Sequence, residues 1–464
     1  MTENSGGRGR HDDALLITAR REPSDLYRAI WRWHFYAGLL ILPFLVTLAL
    51  SGAIYLFKDE VDGIVHARFI HVAPSDTRLP PSRLIAAAEQ AQPGKVVKIT
   101  EPPSDDRSTE ITIQPGTGGP MAVFVDQHDG RVLEVRPDRS TFAWTVRYLH
   151  SLRFFGATPR MWIEIVAGWA IILVLTGTYL WWPRARAAGG VVTVRGTPAR
   201  RVFWRDLHAV TGLGVGGFVL FLALTGLPWS SVWGAKVHSW ANGTNFGYPA
   251  GLFVDVPMSA EHLDHVAKTS WTLEQAQIPM MHAPHAGMAP VGIDAAVAAF
   301  RALGLHPGFS VALPDGPTGV YSGSVYPDDI AAQRVIHLDQ YSARPLVDVS
   351  FADYGPVAKA IEWGVNTHLG QTFGAANQIV LLLACAGIVL LAVSAAVMWW
   401  KRRPARALGV PPLPSDRRVF AGLFVLLGIG GVLFPLTGLS MVVMIALDLI
   451  GQRVAARARP ARSA

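Results

Sequence analysis

Five stretches of this chain are apolar over lengths that reach across a lipid bilayer: residues 30–57, 160–183, 204–233, 376–400 and 419–449. A hydrocarbon core of about 30 Å takes roughly 20 helical residues to cross. Inside it each backbone N–H and C=O must be satisfied by the protein itself, which leaves helices as the solution for runs of this kind. Half of the 464 residues are hydrophobic and 15 are Trp, so an ordinary soluble domain is excluded. The first run follows the polar segment 1–29 and lacks a small-x-small cleavage site, so it reads as a helix and not as a signal peptide.

Basic residues sort the ends of these runs. The tail 1–29 holds Arg8, Arg10, Arg20, Arg21 and Arg28. The loop 184–203 holds Arg184, Arg186, Arg195, Arg200 and Arg201, and the loop 401–418 holds Lys401, Arg402, Arg403, Arg406, Arg417 and Arg418. The positive-inside rule makes these three segments cytoplasmic and puts the long loops 58–159 and 234–375 outside. The net charge of +7 therefore expresses topology and gives no reason to expect a nucleic-acid partner. One conflict stands: five crossings leave the tail 450–464 outside, although it carries Arg453, Arg457, Arg459 and Arg462. A simple fifth crossing is expected nonetheless, because later charges weigh less than the first helix. Cys385 is the single cysteine, so an internal disulfide, a thiolate zinc site and a Cys-x-x-Cys-His haem attachment are all excluded.

The chain is duplicated. His150, Phe155-Gly156 and Trp181-Trp182 recur without a gap as His368, Phe373-Gly374 and Trp399-Trp400. His34, Gly38-Leu39 and Ser51-Gly52 recur as His208, Gly212-Leu213 and Thr225-Gly226. The outer loops repeat as well: Asp126-Gln127 and Arg131 match Asp339-Gln340 and Arg344, between strand-like residues. A helix-like stretch precedes each, at Arg83–Ala91 and Asp294–Leu303. Two small α+β modules are expected, at 58–159 and 234–375. The fifth run, 419–449, reads as a decayed copy of the odd-numbered helices that has lost its histidine.

These motifs together resemble the PepSY-associated transmembrane family. The residues that carry the likeness are Trp33-His34 with Gly38-Leu39 and Ser51-Gly52; Leu149-His150 with Thr176-Gly177 and Trp181-Trp182-Pro183; Asp206-Leu207-His208 with Thr225-Gly226; and Thr367-His368 with Trp399-Trp400. The likeness implies an iron-regulated protein of the bacterial inner membrane, N-terminus in the cytoplasm, with two PepSY-like modules in the periplasm. It also implies haem-dependent reduction of ferric siderophores, with electrons from the quinol pool or from a separate reductase. The expected architecture is a membrane all-α helical bundle of about five spans, internally duplicated, with two periplasmic α+β PepSY-like modules.

Depth limits how the histidines combine. One helix crossing separates His34 from His150, so these two cannot share one iron. The pairs that geometry allows are His34 with His208 near the inner face and His150 with His368 near the outer face. Paired imidazoles at the ends of a helix bundle suit bis-histidine ligation of haem b, about two per chain. Ionisable groups beside membrane helices are functional candidates by default. The bland alternative is that all four are interfacial residues copied by duplication. His66 and His238 are reserve ligands for the outer site, and Arg153, one turn from His150, is a candidate partner for a haem propionate. Glu164 is expected to pair with Arg160 one turn earlier, and the Trp pairs to form an interfacial belt.

Two further motifs bear on function. Met280, Met281, His282, His285 and Met288 form a cluster whose thioethers and imidazoles suit Cu(I). It supports a rival reading as a cupric reductase or copper-handling protein, against the plain alternative of a loop. Gly212-x-Gly214-x-x-Gly217 copies a dinucleotide fingerprint in the wrong context, inside an apolar run with no strand before it, and is expected to serve close helix packing or the close approach of a flat macrocycle. No hydrolase motif is present. A third reading is a non-enzymatic membrane scaffold that binds a periplasmic partner.

Overall fold

The computed structural model describes residues 24–183, 190–241, 246–247, 257–266, 269–281, 288–405, 408–411, 416, 419, 425 and 428–457. In chain order the helices are α1 Asp25–Tyr55, α2 Lys58–Val65, α3 Ala67–Ile70, α4 Pro81–Ala91, α5 Phe142–His150, α6 Ala157–Trp181 and α7 Arg201–Gly226. They continue as α8 Trp233–Ala241, α9 Leu263–Val266, α10 Ile293–Ala302, α11 Pro356–His368, α12 Ala375–Arg402 and α13 Pro435–Arg457. The strands are β1 Lys95–Thr100, β2 Thr109–Gln114, β3 Met121–Val125, β4 Val132–Pro137, β5 Met258–His262, β6 Gln277–Pro279, β7 Ser310–Ala312, β8 Val320–Val325, β9 Arg334–Asp339 and β10 Pro345–Ser350.

Among the described residues, five helices are long and apolar enough to cross a membrane: α1, α6, α7, α12 and α13. The protein is a membrane protein. Helix α1 starts where the Ser24 hydroxyl caps the Tyr27 N–H at 3.3 Å and Asp25 sits in the first turn. Helices α1, α6, α7 and α12 form a ring in which α1 and α7 stand diagonally, each flanked by α6 and α12. Both descending helices are entered the same way, from a short amphipathic helix (α5 or α11) through a glycine. Gly156 at φ 107° and Gly374 at φ 56° make these turns, and no other residue type adopts such angles cheaply. The repeated Phe-Gly of the sequence is thus a repeated turn between a short amphipathic helix and a long apolar one.

Above one end of the bundle lies a single sheet of eight antiparallel strands in the order β10-β9-β8-β7-β1-β2-β3-β4. Two separate modules were expected; here β1 of the first half and β7 of the second pair edge to edge, Ile99 opposite Val311 and Thr100 opposite Ser310. An unpaired inner edge on each module would be a site for aggregation, and mutual pairing removes both. Helices α4 and α10 lie on one face of this sheet, tied by Asp294, which accepts from the Ser82 N–H at 2.8 Å and its hydroxyl at 2.6 Å. The core beneath them includes Leu84, Ile99, Ile111, Val123, Phe300, Val311 and Ile336. The repeated Asp-Gln dipeptides have one job each. Asp126 and Asp339 accept backbone N–H groups in the β3–β4 and β9–β10 turns, and the buried Gln127 and Gln340 donate to carbonyls of the neighbouring loop.

The C-terminal region departs from the expected single span 419–449. Residues 428–433 are helical, the helix stops at Phe434, and α13 begins at Pro435. Proline lacks the N–H that would continue the first segment.

Candidate haem-ligating histidine pairs

His34 on α1 and His208 on α7 face each other across the ring, with ring centres 6.4 Å apart and planes at 83°. His150 at the end of α5 and His368 at the end of α11 repeat the arrangement at the sheet end, 6.4 Å apart at 85°. These are the two pairings expected from depth. On α1, His34 and Ser51 (which holds His150) lie roughly 25 Å apart along the axis.

Each ring is anchored by a hydroxyl from another helix. His34 Nδ1 meets Thr176 Oγ1 at 2.9 Å, and His150 Nδ1 meets Ser51 Oγ at 3.0 Å. His208 Nδ1 meets Ser394 Oγ at 3.1 Å, and His368 Nδ1 meets Thr225 Oγ1 at 2.8 Å. A hydroxyl has one proton. In all four cases that proton is already given to the carbonyl one turn back: Thr176 to Ile172, Ser51 to Thr47, Thr225 to Phe221 and Ser394 to Leu391. Both contacts of each hydroxyl are satisfied together when it donates to the carbonyl and accepts from an imidazole that carries its proton on Nδ1. The lone pair is then on Nε2. This is the orientation by which a second partner prepares a histidine for a metal. The hydroxyl contacts of all four rings are made at Nδ1.

The Ser/Thr-Gly dipeptides of the sequence acquire a reason. The hydroxyl anchors a ring and the following glycine leaves room for it. A Cβ at Gly177 would stand 3.1 Å from His34 Cε1, one at Gly52 would stand 3.3 Å from His150 Cε1, and one at Gly226 would stand 3.7 Å from His368 Cε1. The fourth position, Ser394-Ala395, keeps the hydroxyl and departs at the glycine. Removal from bulk water pushes His150 down to about 4 and His368 to about 3, so both are neutral bases.

These features fit a metal held between two imidazoles. Metal–nitrogen bonds of about 2 Å, with each ring centre about 1 Å behind its nitrogen, set the centres roughly 6 Å apart. The four rings also remain half-buried, not sealed, inside the helix assembly.

Other expected site residues stand elsewhere. His66 Nε2 accepts the Phe142 N–H at 3.0 Å and caps α5. His238 is buried against Trp271, ring centres 4.5 Å apart, with Nε2 3.5 Å from the Thr272 carbonyl. Neither joins the outer pair. Arg153 is exposed on the turn after His150. Arg160 donates to the Trp229 carbonyl at 2.8 Å and does not pair with Glu164. The Glu164 carboxylate instead accepts the Val232 and Trp233 N–H groups at 3.0 Å and caps α8. The exposed amides at a helix start outcompete a guanidinium on the same helix. Of the copper motif, His282 and His285 lie outside the described residues. Met281 Sδ accepts the Gln340 N–H at 3.3 Å, Met280 donates its N–H to the Pro257 carbonyl, and Met288 is exposed. Of the glycine motif, a Cβ at Gly212 would meet Leu391 at 3.6 Å, whereas one at Gly214 or Gly217 would meet nothing within 4 Å, so close helix packing accounts for Gly212 alone. Trp181 and Trp399 each donate an indole N–H to the loop that follows, to Val191 and Leu408.

The sequence profile described as the PepSY-associated TM region matches residues 31–402. The chain belongs to this family. The match takes in both histidine pairs, the four-helix ring and all eight strands of the large sheet of this PepSY-associated membrane protein, and it ends where α12 ends. No curated protein matches the chain.

Proposed function

We propose that this PepSY-associated protein is a dihaem electron-transfer protein of the bacterial inner membrane, with its sheet in the periplasm. His34 and His208 would hold one b-type haem near the inner face, and His150 and His368 would hold the second near the outer face. The observation that carries this reading is the fourfold hydroxyl anchor, which commits every Nδ1 as a donor and leaves every Nε2 as a base. Haem b held in this way would supply one-electron ferric/ferrous chemistry. The chain itself fixes the tautomers, keeps the ligands neutral, and spaces the two sites along one helix axis. Interfacial duplication alone would require none of the four hydroxyls to face an imidazole.

The activity proposed, on the strength of the family resemblance together with this arrangement, is reduction of ferric siderophore on the periplasmic side. One electron converts Fe(III) to Fe(II), which binds a hard oxygen-rich chelator less tightly. His34 and His208 would hold the haem that takes electrons from quinol or from a separate reductase. The test uses protein in vesicles, reduced chemically and then given a ferric siderophore with a ferrous trap. One ferrous ion trapped per electron held supports the reading. Electrons that stay on the protein contradict it, and cupric ion given in parallel tests the copper alternative.

A further inference from the structure

The C-terminal region resolves the conflict between five crossings and a basic tail. Helix α12 descends from the sheet end and finishes at Arg402, whose guanidinium lies 4.8 Å from the Trp31 ring centre, at the start of α1. Asp416 is at the same end, where its N–H donates to Asp25 at 2.7 Å, and the Pro411 carbonyl accepts from Arg32. Helix α13 nevertheless begins at the opposite end. Thr437 fills the space left by Gly168 and donates to the Glu164 carbonyl at 3.3 Å, and Phe434 stacks 6.3 Å from Trp233. Midway down, the Trp169 indole donates to Ser440 at 2.9 Å. At the bottom, Asp448 pairs with Arg32 at 2.5 Å and accepts from Tyr36 and Gln452. Helices α12 and α13 therefore run the same way, and the chain between them has to return.

The return ends in a sharp reversal. Gly431 and Gly438 would be about 10 Å apart in a continuous helix. Here a Cβ built on Gly431 lies 3.2 Å from the Gly438 Cα. Small residues at both positions permit that approach.

The duplication shows that the contact is specific to one side. Aligning the histidines puts Asp206 opposite Arg32, Val210 opposite Tyr36, Leu382 opposite Glu164 and Gly387 opposite Trp169. The side chains that grip α13 on the α1–α6 side, Arg32, Tyr36 and Trp169, are thus replaced at the repeated positions of α7 and α12 by Asp206, Val210 and Gly387. Arg32 is 8 % exposed, and a guanidinium at that depth needs the carboxylate that α13 brings. This part of the chain lies beyond the family match, which stops at residue 402.

We propose that the C-terminal region crosses the membrane twice, reversing at Phe434-Pro435, so that six crossings return the C-terminus to the face of the N-terminus. The returning limb clasps the α1–α6 side through Thr437, Ser440 and Asp448. Arg453, Arg457, Arg459 and Arg462 then obey the positive-inside rule. The proposal is independent of haem binding. Its test is labelling with a membrane-impermeant maleimide in oriented vesicles, on a Cys385→Ala background. Thr2→Cys reports the N-terminal face, Ser75→Cys the sheet face, and Ser463→Cys the C-terminus. Labelling of Ser463→Cys together with Thr2→Cys is expected. Labelling together with Ser75→Cys would overturn the proposal, and since all three positions lie in tails or an exposed loop, none of the substitutions threatens folding.

Discussion

His34 and Thr176 lie 2.9 Å apart across the α1–α6 contact, and the threonine's only proton is spent on the Ile172 carbonyl. A residue on one helix thereby decides which nitrogen of a histidine on another is protonated. The same relationship recurs at His150, His208 and His368, on three other hydroxyls.

Thr176→Val keeps the shape and removes the acceptor. Losing such an outer partner typically weakens metal binding by about 10- to 100-fold. Haem retention at the inner pair is expected to fall on that scale and to be rescued by Thr176→Ser. Haem kept by Thr176→Val and lost by Thr176→Ser would show that the methyl, not the hydroxyl, matters.

Gly177→Val and Gly226→Ala separate room from chemistry. A side chain at Gly177 intrudes on the His34 ring, whereas a Cβ at Gly226 makes an ordinary contact with His368 at 3.7 Å. The first is expected to abolish the inner site in a folded protein, and the second to leave the outer site intact. Both are read from the haem absorption of each site against the protein's far-ultraviolet circular dichroism.

Glu274 lies between the sheet domain and the outer end of the bundle, and burial pushes its carboxyl up to about 7. Glu362, buried beside Thr272 and Tyr326, is raised for the same reason. A carboxyl whose folded value exceeds its unfolded one favours the fold while protonated. Its contribution is full below the ordinary carboxylate value and is lost as pH rises through the folded value. Thermal stability of the wild type minus that of Glu274→Gln is therefore expected to fall between about pH 4.5 and 7. A flat difference would mean that Glu274 is solvated.

Phe300 fills the sheet core and its ring lies directly over Gly323. Phe300→Ala is expected to destabilise the sheet domain by about 3–5 kcal/mol. Because both halves share one sheet, chemical denaturation should unfold them in one transition. Two resolved transitions would show that the halves fold separately.

The first four spans, the duplication and the two histidine pairs were legible because each rests on a local pattern: apolar length, charge at helix ends, a repeated residue. The hydroxyls were visible only as part of a repeated dipeptide. Their role depends on which helices become neighbours, and Ser394, without a following glycine, gave no signal at all. The fusion of two modules into one sheet was hidden for a related reason. Nothing in β1 or β7 says which edge it will meet. The Arg160–Glu164 expectation failed because spacing on one helix says nothing of a second helix whose start needs a carboxylate. The reversal at Phe434-Pro435 lies inside an apolar run that looked continuous, and only the conflict with the basic tail pointed to it.

The central claim is that each histidine pair holds one haem. It is tested most directly by pyridine-haemochrome quantification per chain on detergent-purified wild type, His34→Ala/His208→Ala and His150→Ala/His368→Ala. Two b haems in the wild type and one in each double variant, with the remaining redox spectrum unchanged, are predicted. A wild type purified without haem from cells that supply it would contradict the account, as would double variants that keep both.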